Sequence, residues 1–271
     1  MIPDAPYMDM HTHILPGLDD GSQSMDQTRS MLKYAYDEGI RVIIATPHFG
    51  IRNPGFRIEE AEHVLSEVQA EADRITPGIR ILLGNELLYT EGIVDSLTRG
   101  EAKTIGGTSY ALVEFRTSDS YDKICKCVQE FKWNGYIPLI AHLERYRCLE
   151  GNLSYVENLV RMGAVIQVNC RSFMGGTNNS AGADQGNRHR GLFSRKSAST
   201  GFFLEEKTGW ARELLRSGMV HLIASDCHDD GIRRPVYRSA LEAMEGYCSE
   251  EDLYRIARVN VLHLIRNEHM E

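Results

Sequence analysis

No run of about 18 apolar residues occurs anywhere in the 271-residue chain, so no membrane-spanning helix and no membrane insertion are expected. The opening stretch MIPDAPYMDMHTHILPG lacks a basic segment followed by an apolar one, so no secretory signal is expected and the cytoplasm is the expected compartment. The six cysteines (Cys125, Cys127, Cys148, Cys170, Cys227, Cys248) have no framework spacing, and a chain this long needs no bridges to hold a core. Positive charge is also short, with 30 Lys and Arg against 38 Asp and Glu and a formal charge of -8. Such a balance offers no electrostatic footprint for nucleic-acid phosphates, which argues against a nucleic-acid partner. Bound divalent cations would offset the acid charge locally, so an anionic substrate remains compatible with it.

Short apolar runs recur along the chain: Tyr7–Met10, Val42–Ala45, Ile79–Leu83, Tyr110–Val113, Ile137–Ala141, Val165–Val168 and Val220–Ala224. Apart from the first, they are rich in Val, Ile, Leu or Ala, as strands buried on both faces should be. Amphipathic stretches at Met25–Glu38, Ile58–Arg74, Ser120–Trp133, Leu153–Met162 and Glu205–Ser217 have a helical period. Seven strands alternating with helices predict an α/β fold with a parallel sheet, open or closed into a barrel. Ser24 is placed to cap the first helix and Gly39 to end it, and Asn134-Gly135 closes the helix before the fifth strand. Pro235–Arg266 reads as two or three helices. Met174–Gly201, rich in Gly, Ser and Asn and locally basic, reads as a long mobile loop or insertion within a single domain, 1–271.

The chemistry lies at the strand ends. His11-Thr-His13 comes after the first strand, Thr46-Pro47-His48 after the second, Gly84-Asn85-Glu86 after the third, Glu114 after the fourth, His142 after the fifth and Asp226-Cys227-His228 after the seventh. The C-terminal ends of parallel strands converge on one face, so residues distant in sequence meet there. Side chains two apart on a strand point the same way, which lets His11 and His13 reach one ion; Asp226 and His228 repeat the spacing. Asp20, in the loop Gly17-Leu18-Asp19-Asp20-Gly21, can join from the first strand-to-helix turn. His11, His13, Asp20, His48, Glu86, Glu114, His142, Asp226 and His228 make nine candidate ligands. One ion takes about four to six, so a cluster of two or three is expected. Nitrogen and oxygen donors without thiolate suit Mn, Fe, Co or Zn better than Ca. Taken singly, each of these residues has a plain alternative as a hydrogen-bonded core histidine or a helix-capping acid; their shared place at strand ends favours the metal reading.

HTHILPGLDDG, ATPH, GNE, the strand-end Glu114, AHLERY and SDCH, in this order, resemble the PHP-type metal-dependent phosphoesterases, and within them the bacterial tyrosine-protein phosphatases of the CpsB/CapC type. The resemblance runs from about Met8 to the final helices and fits least over Met174–Gly201. It implies a distorted β/α barrel of about seven parallel strands and a cluster of divalent ions, usually three, with Mn the first choice and Fe, Co or Zn the others. It also implies which residues share ions: His11, His13, Glu86 and Asp226 at one, Glu86, Glu114 and His142 at a second, and Asp20, His48 and His228 at a third. Arg145 in HLERY and Arg233 in GIRRP match its phosphate-binding arginines. Leu143, where Pro is usual, and Cys227, where Ala is usual, depart from the pattern without removing a ligand.

The activity implied is hydrolysis of a phosphotyrosine, with a metal-activated hydroxide attacking phosphorus. The implied partner is the phosphotyrosine-bearing tail of a bacterial tyrosine autokinase in capsule or exopolysaccharide regulation; a homo-oligomer is left open. The alternatives are a histidinol-phosphate phosphatase or another small-molecule phosphoesterase, a nuclease-type PHP domain, and a metal-bound scaffold without catalysis. Cys227 and Arg233 also fit the Cys-x5-Arg spacing of cysteine-dependent tyrosine phosphatases. The acids between them oppose both an anion cradle and a thiolate, so no nucleophilic role is expected.

Overall fold

In the computed structural model, the described residues are 4, 6–175 and 208–270. The expected loop at 174–201 lies outside them from residue 176 onwards, as do residues 205–207 of the expected helix before the last strand.

The elements alternate along the chain: β1 (Tyr7–Thr12), α1 (Met25–Asp37), β2 (Ile40–Ala45), β3 (His48–Phe49), α2 (Ile58–Ile75), β4 (Arg80–Leu83), β5 (Glu86–Leu88), α3 (Ile93–Thr98), β6 (Tyr110–Glu114), α4 (Tyr121–Trp133), β7 (Ile137–Ile140), α5 (Leu153–Arg161) and β8 (Val165–Asn169). A helix over 208–216 (α6) then leads to β9 (Leu222–Ala224). Last come α7 (Arg238–Met244) and α8 (Glu250–Tyr254), which a π-helical turn at Arg255–Val259 joins to α9 (Asn260–Ile265). No helix among the described residues is long and apolar enough to cross a membrane.

All strand pairs are parallel, in the orders β1-β2-β4 and β3-β5-β6-β7-β8-β9. The nine strands among the described residues reduce to seven staves, because β2 runs on into β3 across Thr46-Pro47 and β4 into β5 across Gly84-Asn85. Proline has no N–H to give the ladder, so one of its hydrogen bonds is missing at Pro47. The neighbouring stave bridges the break: Gly84 N–H donates to Ala45 O at 2.8 Å, and Glu86 N–H and Asn85 Nδ2 donate to Pro47 O. The last stave returns to the first, since Thr12 pairs with Cys227 and Asp226 N–H donates to His11 O at 3.0 Å. The sheet therefore curls into a β/α barrel.

Strand side chains alternate between its two faces. Met10, Ile44, Leu112, Leu139, Val165 and Leu222 form one cluster, which Val261 and Leu264 of α9 close at the N-terminal end of the barrel. Ile43, Ala111, Val113, Ile140, Ile166 and Ile223 face the other way and pack under the helices. The interior is therefore apolar at one end, and only the C-terminal ends of the staves bring polar side chains inward.

Candidate metal centre

Local backbone features aim these side chains. On β6, Glu114 continues the inward row of Tyr110 and Leu112, and on β8 Gln167 and Asn169 continue that of Val165. On β1 the pairing register shifts between Asp9 and Thr12, just where Met10 gives way to His11 and His13. His142 and Asp226 sit in left-handed backbone at φ 32° and 49°. That conformation costs about 1 kcal/mol or more for a residue with a Cβ and is tolerated where the surroundings enforce it.

The nine candidates meet at one place. His11 Nε2 and His13 Nε2 lie 3.2 Å apart, each 3.3 Å from Glu86 Oε2, and 3.5 and 3.6 Å from Asp226 Oδ1. His142 Nε2 is 2.7 Å from Glu86 Oε1 and 4.0 Å from Glu114 Oε2. His48 Nδ1 is 3.0 Å from Glu86 Oε2 and 3.3 Å from Glu114 Oε1. Asp20 Oδ1 stands at the mouth, 3.3 Å from His48 Nε2 and 3.5 Å from His228 Nε2. Three groups are tight enough to hold an ion: His13, Asp20, His48 and His228; His11, His13 and Asp226; and His48, Glu86 and Glu114. Relative to the sharing implied by the resemblance, His13 also reaches the Asp20 group, and His48 rather than His142 closes the tight group with Glu86 and Glu114.

Each inner imidazole is held from behind. His13 Nδ1 is 2.6 Å from Asp19 Oδ2, His11 Nδ1 is 3.3 Å from Gln167 Oε1, and His142 Nδ1 is 3.3 Å from the Tyr146 hydroxyl. The Tyr146 hydroxyl donates to Ala141 O, so His142 must be the donor in that contact. With the protons on Nδ1, three Nε2 lone pairs face carboxylate oxygens. Acceptors cannot face acceptors unaided, so either a second proton on the ring or a metal ion must lie between each nitrogen and its carboxylate. His48 Nδ1 and Glu114 Oε1 are buried without a hydrogen-bond partner. The donor set therefore fits divalent metal.

These contacts govern titration. Burial alone would lower the His13 imidazole, but hydrogen bonds to Asp19 and Glu86 carry it up to about 9. Against the same penalty, Asp20, Glu114 and Glu86 push His48 up to about 12. Burial and the Arg145 charge press His142 down to about 4, so it stays neutral. Burial would raise the Asp226 carboxyl, yet Arg145, His11 and His142 hold it well below the usual range.

Arg145 Nη2 and Arg233 Nη2 converge on Asp226 Oδ2, at 2.6 and 3.1 Å. Arg145 pairs there rather than with neighbouring Glu144, which instead accepts from Ser172 Oγ. Cys227 is buried on the barrel seam, and burial with the charges of Asp9 and Asp226 pushes its thiol far up. Asp19, Gln167, Asn169, Tyr146 and Arg52 are the contributors that strand ends alone do not reveal. Asn169 Nδ2 donates to Asp226 Oδ2 at 2.9 Å, and Arg52 Nε lies 3.0 Å from Glu114 Oε1. A Gln and an Asn alternating in an otherwise apolar buried strand were the signal for two of them.

Residues 7–193 match the family described as capsular polysaccharide synthesis, CpsB/CapC. The tyrosine-protein phosphatase CpsB of Streptococcus agalactiae is 27% identical over 267 residues, covering 97% of this chain and 100% of that protein. CpsB of Streptococcus pneumoniae is 29% identical over 239 residues, covering 87% and 88%. A chain from the crystal structures of YwqE from Bacillus subtilis and CpsB from Streptococcus pneumoniae, described as unique metal-dependent tyrosine phosphatases, aligns with a TM-score of 0.80 at 24% identity, covering 97% of this chain and 96% of that one. That likeness is one of fold, and it matches the curled parallel barrel.

Proposed function

Because the chain belongs to the CpsB/CapC family of capsular polysaccharide synthesis, we propose that it is a metal-dependent protein-tyrosine phosphatase. Its substrate in this reading is the phosphotyrosine-bearing tail of a bacterial tyrosine autokinase, met in the cytoplasm, and residues 1–271 act as one phosphoesterase domain. The observation that carries the reading is the convergence of the Nε2 atoms of His11, His13 and His142 on the carboxylates of Glu86 and Asp226. His11, His13, Asp20, His48, Glu86, Glu114, His142, Asp226 and His228 would hold two or three ions, with Mn the first to test. Divalent metal in such a site supplies Lewis acidity and brings the pKa of bound water from 15.7 towards about 7.

The chain's own residues do the rest. Arg145 and Arg233 stand over Asp226 with guanidinium forks suited to the equatorial phosphoryl oxygens, where charge spreads during transfer. Asp19, Gln167 and Tyr146 keep the imidazoles oriented, so little reorganisation is left for the reaction itself. A phenolic leaving group has a pKa near 10, so it departs without strong general-acid help. The test is hydrolysis of a phosphotyrosyl peptide before chelation, after chelation and after Mn is restored. Loss and recovery are expected. Activity that survives thorough chelation would overturn the metal reading, and turnover of histidinol phosphate well above the peptide would move the substrate to small molecules.

A further inference from the structure

Two loops of the site carry the same pentapeptide, Gly-Ile-Arg-x-Pro: Gly50-Ile51-Arg52-Asn53-Pro54 and Gly231-Ile232-Arg233-Arg234-Pro235. Each comes shortly after a site histidine, His48 or His228. A hydrogen bond from the fourth residue back to the first closes each, with Asn53 N–H donating to Gly50 O at 3.0 Å and Arg234 N–H to Gly231 O at 3.4 Å. Ile and Arg fill the two central positions. Both turns are tethered: Asn53 Nδ2 donates to Leu18 O and His48 O, while Asp229 Oδ1 accepts from the N–H groups of Gly231 and Arg233. The loops leave from neighbouring points, since the His48 and His228 rings are 6.2 Å apart and share Asp20 Oδ1.

The side chains repeat the match. Arg233 turns inward to Asp226, and Arg52 turns inward to Glu114 at 3.0 Å. Among the described residues Glu114 Oε1 nevertheless has no hydrogen-bond partner, and Arg52 Nη1 has His48 Nε2 alone, at 3.4 Å. The Arg52 fork is therefore close to the centre with most of its donors unspent. Ile51 and Ile232 both stay in water, at 57% and 86% exposure. One exposed isoleucine is ordinary, but here two follow the same glycine in loops that leave from adjoining site histidines.

We propose that the two loops form a paired substrate clamp: Arg52 takes a phosphoryl oxygen from the side away from Arg233, and Ile51 and Ile232 flank a flat apolar leaving group, favouring aryl over alkyl phosphomonoesters. This rests on the phosphoesterase reading and adds a third arginine and an apolar selectivity element to it.

The test uses the full chain loaded with Mn, with metal content measured for each variant. Calorimetry would compare inorganic phosphate, phenylphosphonate and methylphosphonate, which are not hydrolysed. Arg52→Ala should weaken phosphate binding about tenfold or more at unchanged metal content, and Arg52→Lys should recover part of it. The Ile51→Ser/Ile232→Ser variant should lower the preference for phenyl- over methylphosphonate about fivefold while leaving phosphate affinity alone. Phosphate affinity that is unchanged in Arg52→Ala, or that falls only in step with lost metal, overturns the role of Arg52. An unchanged preference removes the isoleucines. If these binding effects appear but the unaltered protein hydrolyses neither phosphotyrosine nor phosphoserine, the clamp stands and the phosphatase reading falls.

Discussion

Asp19 Oδ2 lies 2.6 Å from His13 Nδ1 and accepts from the His48 N–H at 2.9 Å, so one buried carboxylate fixes the place of two site histidines. Its neighbour Asp20 faces the opening instead, within 3.5 Å of His48 and His228. The two acids should therefore fail differently. Asp19→Ala is expected to weaken metal binding about 10- to 100-fold while the number of ions at saturation stays the same. Asp20→Ala should lower that number. Chelator competition read against metal content per chain separates the two, and equal losses of stoichiometry would contradict the division.

That division marks where the sequence stops being legible. Apolar runs bounded by His, Asp or Glu mark the staves and point to eight candidate ligands, because strand ends in a parallel sheet converge, and Asp20 joins them from the first loop. Leu18-Asp19-Asp20-Gly21 offers two adjacent acids, and only the turn back to His13 decides which is inside. The second apolar run reads as ending at Ala45, yet the stave resumes beyond Pro47 as β3, because the adjacent stave carries the ladder past it. The sixth predicted strand has no ligand at its end, and it is the one whose Gln167 and Asn169 hold His11 and Asp226. The segment after Gly175 has composition but no pattern, and its expected role as a loop lies outside the described residues.

Gly21 is required by space. A Cβ there would stand 2.2 Å from His13 O and 2.3 Å from His13 Cβ, and both are fixed parts of the site. Ser22 N–H also donates to that same His13 O. Gly21→Ala should displace the Asp19–Asp20 loop, lowering metal affinity at least as much as Asp19→Ala, with a fall in Tm. Retention of full metal content and Tm would mean that the loop yields more easily than these contacts imply.

Arg145 and Arg233 share one oxygen of Asp226, so their effects should not add. Arg145→Ala is expected to reduce kcat/KM on a phosphotyrosyl peptide about tenfold or more. The double variant with Arg233→Ala should fall short of the product of the single losses. Independent, multiplicative losses would place the two guanidinium groups on separate tasks.

Cys227 serves the barrel seam: its carbonyl accepts from His13 N–H, and its thiol is buried and held protonated. Cys227→Ser should keep turnover within about twofold, at a stability cost of roughly 1–3 kcal/mol for burying a hydroxyl in place of the thiol. Iodoacetamide should leave the native enzyme active. Loss of activity in a well-folded Cys227→Ser variant would reopen the thiol mechanism.

Protons and metal compete for the same nitrogens, which gives metal binding a defined pH dependence. An unfolded chain titrates histidine near 6.5. In the metal-free fold His13 titrates at about 9, raised by Asp19 and Glu86 against burial, and His48 at about 12. A pKa raised in the folded state stabilises the metal-free protein fully below about 6.5, and for His13 that contribution is lost as pH rises through about 9. Metal must displace the same proton, so apparent affinity should climb with pH up to about 9, by about tenfold per unit for each proton released, and then climb less steeply once His13 has no proton left to give. Calorimetry in buffers of different ionisation enthalpy would count those protons directly. Asp19→Ala removes the main group holding the His13 proton and should move the break in slope below 9. An affinity independent of pH between 6.5 and 9 would mean that His13 and His48 are both already neutral before metal arrives, and that the bond from His13 to Asp19 orients the ring without charging it.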